Sequence, residues 1–74
     1  MDLLIDTHTL LWYYEGSSEL PIKIRELIND IANNCYISIG SLWEITIKYR
    51  LGKLELENGL MDLFDFIQRN IILF

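Results

Sequence analysis

Cys35-Tyr36-Ile37-Ser38-Ile39, followed at once by Gly40-Ser41-Leu42-Trp43-Glu44-Ile45, is the stretch that decides the fold. Its first half is apolar, β-branched and aromatic, the composition of a short buried strand. Gly40-Ser41 then turns the chain into a helix that is expected to run to about Leu51 and to be capped by Gly52. A strand leading directly into a helix is half of a βαβ unit, and the flanking sequence supplies the other half.

Upstream, Asp2-Leu3-Leu4-Ile5-Asp6 reads as a first short strand bounded by carboxylates. Thr7 to Glu15 carries Leu10, Leu11 and Tyr14 at helical spacing and ends at Gly16. Pro21 suits the first turn of a second helix. Ile24, Leu27, Ile28 and Ile31 follow the i, i+3, i+4, i+7 rule of a core-facing helix, which Asn33-Asn34 is expected to end. Downstream, Lys53 to Glu57 alternates as an extended connector and Asn58-Gly59 marks a turn. Leu60, Phe64 and Ile67 predict a fourth helix, and Ile71 to Phe74 a third strand. The order is strand, two helices, strand, two helices, strand. It predicts one α/β domain over residues 1–74, with a parallel sheet of three short strands flanked by about four helices. Parallel sheets normally bury both faces, so the sequence reads as unfinished at its carboxyl end.

Composition narrows the function. Of the 74 residues, 51% are hydrophobic and 12% aromatic, which excludes a disordered tail. It also suggests more apolar surface than one small body hides, which a missing remainder of the domain or a partner subunit would account for; a homo-oligomer is expected. Eleven acidic residues against six basic ones give a net charge of −5, which argues against bulk attraction to a polyanion. The lone Cys35 has no internal disulfide partner and fits a reducing cytoplasm. The apolar run from Leu3 to Tyr14 is broken by Asp6 and His8 and is too short to span a membrane; no export leader is visible.

Ligands in open α/β sheets bind at the carboxyl ends of the strands. Asp6 closes the first strand, and Glu44 lies in the first turn of the helix after the second. Neighbouring strands lie about 4.8 Å apart, so the two carboxylates could converge. Converging carboxylates need a shared proton, a cation or helix amino-termini to offset their charge, and Mg²⁺ suits two oxygen ligands supplemented by water and substrate phosphate. Local readings compete with this one. Asp6 or Thr7 could cap the first helix. Ser41-Leu42-Trp43-Glu44 matches a capping box. With Leu42 at zero degrees, Ser41, Glu44 and Lys48 share a stripe of roughly 60° on the third helix. Lys48 is spaced either to pair with Glu44 or to meet a phosphate. Thr7 and Ser38 could hold a metal-bound water or satisfy backbone. The lone His8 is weak evidence for zinc. Trp12, Tyr13, Tyr14 and Trp43 could stack on bases or pack in a core or interface. Asp62 and Asp65 read as solvated-face residues.

Two blocks extend this picture. Leu4-Ile5-Asp6-Thr7-His8-Thr9-Leu10-Leu11-Trp12 resembles the opening of PIN domains of the VapC-like toxin group. Ser38-x-x-Ser41-x-Trp43-Glu44-Ile45, with Lys48 and Gly52-Lys53-Leu54, resembles their second block at the matching distance. The resemblance spans nearly all of the chain. It implies a cytoplasmic endoribonuclease toxin of a toxin–antitoxin system, dependent on Mg²⁺ or Mn²⁺, held by a cognate antitoxin and usually homodimeric. The family's acidic site residues map to Asp6 and Glu44, with Thr7 and Ser38 beside them. Family members are longer, and their remaining acidic residues follow the third strand. The chain is therefore expected to be the amino-terminal portion of a PIN domain, with weak activity or none. The competing expectation is a non-catalytic interaction or dimerisation module derived from such a toxin.

Overall fold

Short apolar runs become strands and periodic segments become helices. A computed structural model describes residues 1–74. The order is β1 (Asp2–Leu4), α1 (Thr7–Glu15), α2 (Ile22–Asn29), β2 (Asn34–Ile37), α3 (Ile39–Arg50), α4 (Leu60–Asn70) and β3 (Ile72–Leu73). The three strands form one parallel sheet in the order β1-β2-β3. Leu3 pairs with Cys35, Leu4 with Tyr36, and Tyr36 in turn with Ile72. Both ladders run one bond past the strands: the Ile5 amide donates to the Tyr36 carbonyl at 3.0 Å, and the Phe74 amide to the Ile37 carbonyl at 3.1 Å. The α/β expectation is met. No helix is long and apolar enough to cross a membrane.

Side chains alternate across a strand, and only one face of β2 enters the core. Cys35 and Ile37 are buried there with Ile5 and Ile71. Leu10 of α1, Ile45 of α3, and Leu63 and Ile67 of α4 close over them. Leu10, Ile37, Ile45 and Leu63 lose essentially all contact with water. The other face carries the row Leu4, Tyr36 and Ile72 and stays open, with Leu4 70% exposed and the Phe74 ring set edge-on to Tyr36. β1 and β3 are both edge strands, each with an unpaired row of backbone groups.

Two helices end in the same way. At Gly16 (φ 67°) and Gly52 (φ 74°) the chain turns left-handed, a conformation in which a Cβ is costly. The next amide then reaches back five residues, Ser17 to the Trp12 carbonyl and Lys53 to the Lys48 carbonyl, both at 2.9 Å. This is the Schellman arrangement.

Besides β1, which ends at Leu4 rather than Asp6, and β3, which spans Ile72–Leu73 rather than Ile71 to Phe74, three boundaries differ from the sequence reading. Helix α2 stops at Asn29 and does not reach Ile31, which is fully exposed, and no residue of α2 is fully buried. Turn chemistry ends it early: Asp30 accepts from the Ala32 amide at 2.9 Å, and the Asn33 side chain donates to the Leu27 carbonyl at 2.9 Å. Pro21 lies just before the helix rather than within it. The third difference concerns the deciding stretch. β2 ends at Ile37, and α3 begins at Ile39 with Ser38 as its cap, accepting from the Ser41 amide at 3.2 Å. Glu44 is therefore past the first turn, and Ser41 and Glu44 do not form the capping box.

Candidate metal centre

Asp6 follows β1 in extended conformation and caps α1, its Oδ1 accepting from the Thr9 amide at 2.8 Å. The capping role is real, and it leaves the carboxylate exposed at a helix amino-terminus, where negative charge is favoured. The Thr9 amide, then the Thr9 hydroxyl, hold the Asp6 carboxyl below its ordinary range, and the charge of His8 acts in the same direction.

Glu44 has no such local role. With α3 starting at Ile39, its side chain is released from the helix start and crosses to α1. The buried Thr7 hydroxyl donates to Glu44 Oε1 at 2.8 Å, across 37 residues of sequence. Lys48, one turn along α3, places Nζ 3.2 Å from Oε2. The Thr7 hydrogen bond, then Lys48, lower the Glu44 carboxyl below its ordinary value, and His8 again contributes in the same sense. The two carboxylates thus flank Thr7, one bonded to it through space and the other its neighbour in the chain, with His8 acting on both.

Ser38 is not part of this group. Its hydroxyl is spent on the start of α3 and lies 3.3 Å from the Ser41 hydroxyl. His8 is exposed, with its ring centroid 6.0 Å from that of Trp12. Trp43 is 75% exposed, so it is not a core residue. A cleft of about 350 Å³ between β1 and α2 has Asp6 and Thr9 at its rim, but neither Thr7 nor Glu44 lines it. Asp6 and Glu44 are both exposed and do not line that cleft together.

Hard oxygen donors are what Mg²⁺ or Mn²⁺ requires, and Asp6 and Glu44 supply them while Thr7 fixes the Glu44 carboxylate. Each carboxylate oxygen has two lone pairs and can accept a hydrogen bond while coordinating a cation. By donor chemistry, two carboxylates with water or phosphate in the remaining positions are a set such a cation accepts. No cluster of three or more His, Cys, Asp or Glu side chains is placed to hold a metal ion.

Other functional-looking side chains prove structural. Asp62 accepts a hydrogen bond from the Tyr14 hydroxyl, tying α1 to α4, and the Tyr14 and Phe66 rings meet edge-on at 5.1 Å. Asp65 pairs with Arg69 at 3.2 Å on an exposed face. Tyr13 donates to Asn29 at 2.6 Å, and the Arg25 guanidinium lies 5.8 Å from the Tyr13 ring centre, so α2 is held to α1 through aromatic residues. Apart from the local Asp65–Arg69 pair, these pairings span 12 to 52 residues of sequence, and no local pattern announces them.

Bonding to Asp62, followed by burial, pushes the Tyr14 hydroxyl up from 10.0 to about 12. A raised value in the fold means that the contribution is complete below the unfolded tyrosine pKa and is lost as pH rises through the folded one. Stability is therefore expected to fall between about pH 10 and 12 more steeply in the parent chain than in Tyr14→Phe. Denaturant melts of both proteins across that range measure the difference, and parallel curves would dismiss the Tyr14–Asp62 bond as a determinant.

The chain matches no protein-family model, no curated protein and no solved structure at a significant level.

Proposed function

We propose that this chain belongs with the PIN-like endoribonuclease toxins, and that Asp6 and Glu44 form part of a Mg²⁺ or Mn²⁺ site acting on RNA. The observation that carries the reading is the Thr7–Glu44 hydrogen bond. It brings a glutamate from the helix after β2 to the residue that follows Asp6, and so supports a meeting of the two carboxylates. Asp6 and Glu44 would hold the cation, Thr7 would orient Glu44, and Lys48 would lie close enough to face a phosphate oxygen. What such a cation supplies is charge neutralisation at a phosphodiester and a bound water of lowered pKa. A cognate antitoxin, a cytoplasmic setting and self-association belong to the same proposal. Cys35, buried and unpaired, with burial raising its thiol pKa, is consistent with reducing surroundings.

Two carboxylates hold a hard cation less firmly than a larger acidic set, so cleavage by these 74 residues alone is expected to be slow at best. Incubation of structured RNA with the purified chain and Mn²⁺ tests this. Scission removed by EDTA, Asp6→Ala and Glu44→Ala supports the nuclease reading. Scission that persists in either variant overturns it.

The open row Leu4, Tyr36 and Ile72 favours a second reading, an interaction module in which two copies cover their exposed sheet faces. Sedimentation at micromolar concentration is expected to show a dimer or larger species. A well-folded monomer would contradict it.

A further inference from the structure

Both oxygens of the Glu44 carboxylate are engaged within the chain, by partners of different kinds. Oε1 accepts from Thr7 at 2.8 Å. Thr7 is buried and neutral, so this bond fixes the carboxylate without occupying the place of a cation. Oε2 faces the Lys48 ammonium at 3.2 Å. That ammonium is a full positive charge on a flexible stem, and nearly half of the side chain is exposed.

We propose that Lys48 is a built-in competitor for divalent cations at Glu44, holding Oε2 until a bound cation displaces it. The inference rests on the metal-site reading above and adds how occupancy of that site is controlled. A Mg²⁺ ion sits about 2.1 Å from a ligand oxygen. An ammonium bonded to the same carboxylate would then lie within a few ångströms of a dication, where like charges repel strongly. Cation binding at Glu44 therefore requires the ammonium to move. The pair is solvent-exposed and weak, so the barrier to exchange is low and the competition is graded. Thr7 needs no rearrangement, because Oε1 keeps a lone pair for the cation while it accepts the hydroxyl. The released ammonium stays one helical turn from Glu44 and would be free to meet a phosphate.

Mn²⁺ binding to the full 74-residue chain, measured by titration calorimetry without RNA, tests this. Lys48→Met keeps the aliphatic stem and removes the charge, and is expected to tighten Mn²⁺ binding about two- to fivefold, the range of an exposed ion pair. Lys48→Arg should stay near the parent affinity, because it restores the competing charge. Arg50→Met removes one positive charge elsewhere on α3 and controls for net charge. Equal affinities for Lys48→Met and Arg50→Met overturn the competition while leaving the metal site standing. Absence of binding in the parent, Lys48→Met and Arg50→Met proteins alike overturns both the competition and the metal site. Binding by Lys48→Met that Asp6→Asn abolishes, with a weaker parent and Arg50→Met, supports both.

Discussion

Ile45→Ala is expected to unfold most of the protein, whereas Ile47→Ala, two residues along the same helix, is expected to be nearly silent. Ile45 is completely buried among Leu10, Ile37 and Leu63, and Ile47 is 53% exposed. Removing a buried isoleucine side chain to its Cβ costs about 2–5 kcal/mol, through lost transfer energy and the cavity left behind. A core in a chain of this size rarely supplies more than about 3–5 kcal/mol net. The loss is therefore comparable to the whole margin. The same substitution on the exposed face should lie within about 0.5 kcal/mol. Urea melts of the two variants measure the contrast. Two residues along a helix rotate the side chain by about 200°, so the experiment reports the rotation of α3 about its axis. Equal losses would mean that the helix is turned differently, and Glu44, next to Ile45, would then not face Thr7.

The order of elements was legible because each depends on local spacing. Leu60, Phe64 and Ile67 predicted α4, and Gly16 and Gly52 marked the ends of α1 and α3 where the backbone does turn left-handed. The start of α3 was not legible. Ser38 and Ser41 are both good caps by type, and Ser41 has the better local pattern because Glu44 completes it. The choice is made by partners remote in sequence. The Ile39 amide, a first-turn donor without an intrahelical acceptor, donates to the Phe74 carbonyl at 2.7 Å. The Glu44 carboxylate is drawn to Thr7 on α1. Neither acceptor nor donor lies within 30 residues, so no window over α3 contains the answer. Helix α2 failed differently: its apolar spacing was sound, but Asp30 and Asn33 stop it before Ile31 enters the pattern. For the candidate centre, the sequence pointed to Asp6, Glu44, Thr7 and Lys48; Glu44 bonds to Thr7 and to Lys48, and Asp6 precedes Thr7 in the chain. Ser38, chosen for its place at the strand end, serves the helix start instead.

Saturating Mn²⁺ should raise the melting temperature of the parent chain, and both Asp6→Asn and Glu44→Gln should lose most of that rise. A ligand at one hundred times its dissociation constant stabilises the folded state by about 2.7 kcal/mol. For a domain of this size that corresponds to roughly 10–20 °C. The choice of variant matters because Asp6 has two roles. Asp6→Ala removes the α1 cap as well as the charge and should lower the metal-free melting point, a cap being worth about 1 kcal/mol. Asn caps as well as Asp does, so Asp6→Asn removes the anionic ligand and leaves the helix start intact. Glu44→Gln keeps an acceptor for the Thr7 hydroxyl and loses the charge. Both carboxyls lie below their ordinary range, Asp6 through the Thr9 amide first and Glu44 through the Thr7 hydroxyl first. They are therefore ionised throughout the neutral range, and the Mn²⁺ response should be flat between about pH 6 and 8 and fail only in acid, as the carboxyls protonate. A response equal in all three proteins would place the cation elsewhere on this acidic surface. A response that titrates near neutrality would identify a ligand other than these two carboxylates.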